Sequence, residues 1–221
     1  MNPNLNFDIA HMLAGSMLLV SFILLYQDRM FSLLNVYILH ALVLAAAAAW
    51  QGFIQHAPHL YATALIALFF KAITIPLSLR WLIIKLGIHR KIETVVGTGS
   101  SVIIAMMLTA LSVTVMMKAS GSTDPMTRED LSFALAVILI GLLMMVSRRN
   151  AISQVVGFMS MENGLILAAV GAKGMPLVVE ISVAFSVLIA LIVVGIFLFR
   201  IRERFDVVDI RGLEKSGGER Q

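Results

Sequence analysis

An all-α fold, a polytopic bundle of transmembrane helices, is what this sequence predicts, and composition, hydropathy and block length carry the prediction. Of 221 residues, 59% are hydrophobic and 14% charged, against about 25% charged in an average soluble domain. Mean hydropathy is +0.93. The apolar residues come in successive blocks of roughly 20, the length a helix rising ~1.5 Å per residue needs to cross a ~30 Å hydrocarbon core. In lipid, a helix satisfies its backbone polar groups within one segment.

Seven helices are expected in order. The first, Ile9 to Tyr26, ends at the polar turn Gln27, Asp28, Arg29, and the second, Phe31 to Phe53, carries Asn35, His40 and an alanine run before Trp50. A polar loop with His56, Pro58 and His59 leads to the third, which starts near Leu60, contains Lys71 and Pro76, and turns basic and amphipathic in WLIIKLGIHRKIE. The fourth, Thr98 to Met117, bears Ser101, Thr109 and Ser112, small polar residues suited to helix packing. After the polar connection Lys118 to Asp130 come helices at Leu131 to Val146, Ala151 to Val170 and Leu177 to Phe199. The N-terminus has no basic stretch ahead of its apolar run, so the first helix reads as retained and not as a cleaved signal. The chain divides into a four-helix membrane extension with its connecting loop (1–130), a three-helix membrane unit (131–213) and a charged, disordered tail (214–221).

Basic residues set the expected orientation. With the N-terminus outside, the inner connections hold Arg29, then Arg80, Lys85, Arg90 and Lys91, then Arg148 and Arg149, and finally the arginine-rich tail. The outer ones hold only Lys118, Arg128 and Lys173. That asymmetry follows the positive-inside rule and predicts N-outside, C-inside. The net charge of +4 is thus topological, and points to the lipid bilayer and not to nucleic acid. With no cysteine, the chain itself offers no iron–sulfur ligands, thiolate metal site or disulfide. Its five histidines form no recognisable metal motif, and phosphate-loop, dinucleotide and nucleophile-elbow signatures are missing.

Glu162 and Glu180 lie inside apolar runs. A carboxylate in hydrocarbon costs several kcal/mol unless paired, hydrated or protonated, so each is a candidate functional group. Counting at 1.5 Å per residue puts Glu162 ~18 Å from the inner boundary, Lys71 ~16 Å from the outer one and His40 ~14 Å from the inner one. These form one midplane layer. Glu180, four residues after Pro176, lies only ~6 Å below the outer surface, with His11 at a similar level. Structural readings stand beside the functional ones: a neutral hydrogen-bonded acid at Glu162, a counter-charge at Lys71, a satisfied buried histidine at His40 and a helix-end carboxylate at Glu180. Pro76 frees the carbonyl of Ala72 and is expected to break the helix beside Lys71, favouring a hydrated pathway. Ser160, Gly164 and Ala168, with Ser182, Ser186 and Ala190, form small-residue seams through which the last two helices would pack, leaving Glu162 to face another partner.

From Arg148 to Leu213 the chain resembles the three-helix K subunit of respiratory complex I, in its arginine-arginine-asparagine turn, a membrane glutamate in each of two helices and a charged tail. The whole chain resembles the hydrogenase-4 component E family of membrane-bound hydrogenase and formate hydrogenlyase complexes, through Glu162 to Gly164 (ENG), the VVE ending at Glu180 and the Lys71 to Pro76 element. Two features depart from the K subunit: Glu162 lies one helical turn farther from the RRN turn, and the two glutamates are closer in sequence. The resemblance implies a non-redox subunit of the cytoplasmic membrane of a bacterium or archaeon, beside antiporter-like and other membrane-arm subunits. Iron–sulfur clusters and NiFe or other redox centres would belong to partner subunits alone. Glu162, Lys71, Glu180 and His40 would then serve a proton relay. A purely structural membrane-arm subunit and a component of a multisubunit cation/proton antiporter are the alternatives.

Overall fold

The computed structural model describes residues 3–86, 92–119 and 125–171, within one compact unit, Met1–Ser186; a second unit, Val187–Gln221, lies outside the described residues. So do the seventh expected helix, Glu180 and the tail. The described elements are α1 (Pro3–Tyr26), α2 (Met30–Gln55), α3 (Pro58–Ile66), a π-helical stretch (Ala67–Thr74), α4 (Ile75–Leu86), α5 (Thr98–Ala119), α6 (Pro125–Ser147) and α7 (Ala151–Gly171). Because α3, the π-helical stretch and α4 run on as one span, six helices among the described residues are long and apolar enough to cross a membrane. The protein is a multi-pass membrane protein.

Two boundaries differ from expectation. α1 begins at Pro3, well before Ile9, and α6 begins at Pro125, so Arg128, Glu129 and Asp130 are helical and not part of a connection. Proline suits the first helical turn because the N–H it lacks would have no intrahelical acceptor there. The α2–α3 corner is sharp. His56 takes a left-handed conformation (φ 52°), its N–H and that of Ala57 return to the Gly52 carbonyl, and Pro58 opens α3.

Inside lipid no hydrophobic force drives helices together, so van der Waals packing and hydrogen bonds must do it. α6 and α7 pack most intimately. A Cβ on Gly141 of α6 would sit 2.5 Å from the Met161 backbone nitrogen of α7, and one on Gly164 would meet Ile138 Cγ1 at 2.8 Å. The expected seam of Ser160, Gly164 and Ala168 is therefore divided between neighbours: Gly164 faces α6, whereas Ser160 faces His40 of α2. A hundred degrees of rotation per residue accumulates over four residues to leave a small offset, enough here for two partners. α2 is the central helix, and its buried Ala45, Ala47 and Ala48 share one core with Ala14 and Met17 of α1, Leu60 and Ala64 of α3, Val137 of α6 and Ile166 of α7. Among the described elements, α5 packs against α6 and α1; of its small polar residues, Ser101 and Ser112 are buried, whereas Thr109 is half-buried and bonds its own helix at the Ala105 carbonyl.

The bundle end where α6 turns into α7 is fastened by a short extended segment. Ile92 donates to the Asp28 carbonyl, Val95 to that of Ser147, and Arg149 to that of Glu93, while Thr94 and Arg148 form an antiparallel bridge. The buried Arg148 guanidinium reaches across to the Leu25 carbonyl at the end of α1. Burial lowers the pKa of Arg148 and the nearby Asp28 carboxylate opposes that shift. Asn150 caps the start of α7, its side-chain oxygen accepting from Ile152 N–H at 2.9 Å, which satisfies an otherwise orphan donor.

Gly141→Val is expected to destabilise the protein by about 1–3 kcal/mol through overpacking, because the colliding atoms are α7 backbone. Gly99→Ala, where nothing lies within 4 Å, is the matched control and should not lower stability. Thermal denaturation of the purified proteins in detergent measures both.

Candidate functional site

Residues three apart share a helix face. Tyr37 and His40 stand so on α2, Ser160 and Asn163 on α7, and the two faces meet at mid-bundle. Asn163 Nδ2 lies 3.0 Å from His40 Nδ1, and His40 Nε2 lies 2.9 Å from Ser21 Oγ of α1 and 3.5 Å from Ser160 Oγ. Ser21 donates to the Met17 carbonyl at 2.9 Å. Tyr37 is fully buried one turn before His40, with no hydrogen-bond partner for its hydroxyl among the described residues.

Lys71 completes the group from the π-helical stretch. Its Nζ donates to Asn163 Oδ1 at 2.8 Å and forms an ion pair with Glu162 Oε1 at 3.1 Å. Lys71 is 1% exposed and Glu162 3%, so the pair is closed off on all sides. The chain does not break at Pro76 as expected; it remains helical through it, and the disturbance lies in the preceding π turns. There Ile75 N–H bonds to the Phe70 carbonyl, five residues back, and Thr74 Oγ1 to that of Phe69. Proline has no N–H with which to continue such a series, and α geometry resumes. The wider turns put Ala67, Lys71 and Ala72 inward while Leu68, Phe69, Phe70 and Ile73 face outward. π-Helical segments are rare and frequently occur at functional sites.

The energetics of the pair are finely divided. At 3.1 Å and an effective dielectric of ~20, Coulomb attraction is about 5 kcal/mol. Removing each ion from water costs several kcal/mol. The terms are comparable, so neither charge is stable at this depth without the other.

Of the residues singled out from sequence, the structure thus brings Glu162, Lys71 and His40 into one hydrogen-bonded group. Asn163 is the link that sequence reasoning missed, although a carboxamide beside Glu162 and three residues after Ser160 was a readable signal. Ser21 and Tyr37 carried no such signal, being single polar groups in apolar runs. His11 lies apart, ten residues or ~15 Å along α1 from Ser21. Its ring contacts Phe133, and its nitrogens pair with Asp130 Oδ1 at 2.9 Å and Glu129 Oε2 at 3.4 Å on α6. Between the centre and the Arg148 end, Arg80 of α4 donates to Asn35 of α2. No group of three or more His, Asp or Glu side chains suited to a metal occurs among the described residues.

Lys71→Met alone is expected to destabilise the purified protein by about 3–5 kcal/mol, the usual cost of leaving one buried charge without its partner. The double variant Lys71→Met/Glu162→Gln should recover most of that loss. A double-mutant cycle of detergent-solubilised stability checks it.

No family model and no solved structure matches the chain. Across 219 residues it is 28% identical to an uncharacterised protein of Mycobacterium tuberculosis, with 96% of this chain and 98% of that protein aligned. Across 212 residues it is 26% identical to hydrogenase-4 component E of Escherichia coli, covering 95% of this chain and 98% of that one, and a protein of the same description in Shigella flexneri matches equally. The chain is therefore similar, over almost its whole length, to a component of a hydrogenase.

Proposed function

We propose that this protein is a non-redox membrane subunit of a hydrogenase-like or NADH-dehydrogenase-like complex, and that its midplane charges take part in proton translocation driven by electron transfer in partner subunits. The buried Lys71–Glu162 ion pair is the observation that carries the reading. Ion pairs sealed within transmembrane bundles are costly, and relays built from acids and bases are a recurrent reason for keeping them. Glu162 is the protonatable acid, Lys71 exchanges a proton with it, and His40 extends the group toward α1. Glu180 is the candidate relay residue toward the other surface. Similarity to hydrogenase-4 component E supports the assignment to a multisubunit complex. Antiporter-like membrane subunits are the partners proposed, in the cytoplasmic membrane of a bacterium or archaeon. Iron–sulfur clusters and NiFe or other redox centres are assigned to partner subunits.

The N-terminus is assigned to the outside, following the basic residues. Arg148, Arg149 and Arg80 then mark the inner end. The Arg80–Asn35 contact gives a polar foothold between that end and the central group.

A second reading rests on the interlocked glycines of α6 and α7, which favour a subunit whose work is to fill and seal the membrane arm. Glu162→Gln separates the two. If the relay reading holds, the complex assembles and reaches the membrane, but vesicles carrying it lose most of the pH gradient formed per electron pair transferred. Full pumping by that variant defeats the relay and leaves the structural role.

A further inference from the structure

Asn163 stands between Lys71 and His40, yet a carboxamide is a poor proton conductor, because its nitrogen releases a proton only by passing through an imidic acid form. Its orientation follows from its neighbours. A lysine ammonium has three donors and no acceptor, so the atom 2.8 Å from Nζ is the carbonyl oxygen Oδ1. Nδ2, which can only donate, then faces His40 Nδ1 at 3.0 Å, and Nδ1 must accept. A neutral imidazole carries a single N–H, which here sits on Nε2. Ser21 Oγ, 2.9 Å away, receives it, since its own hydrogen goes to the Met17 carbonyl. Every donor in the series points from Lys71 toward α1.

We propose that Asn163 is a positioning residue that fixes the tautomer of His40 through the charge of Lys71. The ammonium holds Oδ1, which turns Nδ2–H onto His40 Nδ1 and leaves the single imidazole proton on Nε2. This rests on the relay reading of the Lys71–Glu162 pair, and it makes His40 a donor aimed at Ser21 of α1 and not an acceptor from Lys71. The carboxamide orients the ring and conducts no proton.

The test is solid-state nitrogen-15 spectroscopy of the full chain, histidine-labelled and reconstituted in lipid, with the His40 signals assigned by their loss in His40→Gln. In the unaltered protein His40 is expected as a single Nε2–H tautomer with Nδ1 unprotonated. A protonated Nδ1 there overturns the proposal, and that measurement needs no variant. Asn163→Asp presents only acceptors to His40 and should move the proton to Nδ1; a folded variant that retains the Nε2–H form counts against the idea. Lys71→Met removes the cation that holds Oδ1 and should yield both tautomers, whereas one unchanged tautomer would sink it. Tautomers as expected beside full pumping by Glu162→Gln in the complex defeat the relay reading and leave this linkage standing. Impaired pumping beside an indifferent His40 defeats the linkage alone.

Discussion

A lysine and a glutamate, 3.1 Å apart and sealed from water, impose the constraint on which the rest of this bundle depends. Lipid offers no hydration, so each charge needs a partner close by and each remaining donor or acceptor needs another. The elements around the pair can be understood as meeting that demand. The π-helical stretch turns Lys71 inward, and the neighbours Glu162 and Asn163 of α7 both reach it, so a single helix supplies both the counter-charge and a carboxamide acceptor. α2 brings Tyr37 and His40 to the same level. Its alanines let it approach α1, α3 and α7 closely enough for side chains as short as serine to reach the histidine.

The chemistry of the pair and its packing are linked through the same helix. α7 is held against α6 by Gly141 and Gly164, where a single added carbon would collide. Those contacts fix the axial position of Glu162 and Asn163, two and one residues before Gly164. Small errors there would matter, because a hydrogen bond weakens steeply with distance and angle.

Much of this was legible in the sequence because depth in a membrane is a one-dimensional quantity. Counting residues along each span placed Lys71, His40 and Glu162 in one layer, and the structure joins those three. What counting could not supply was rotation about each helix axis. The π turns alter the angular register of Lys71 in a way that no hydrophobic period reveals. Pro76 looked like a break, whereas its missing N–H coincides with a return from wide turns to ordinary ones. Ser160 and Gly164, one α-turn apart, serve different neighbours, so a spacing that suggested one seam concealed two contacts. Asn163 escaped attention because it is uncharged, although its position beside Glu162 and on the face of Ser160 makes it the link.

The fastening at the Arg148 end bears on how the protein is made. Arg148 reaches the end of α1 across 123 residues, and the 92–95 segment ties to Asp28 on one side and to Ser147 and Arg149 on the other. Spans leave the ribosome in order, so this closure waits until α6 and the turn into α7 have emerged. Until then Arg148's buried site has no occupant, and α1 and α2 are held by one another, by the span from α3 to α4 and by α5. The clasp is therefore complete only in a chain that has reached Arg149: one that stops before α6 leaves the 92–95 segment without the Ser147, Arg148 and Arg149 contacts that close it.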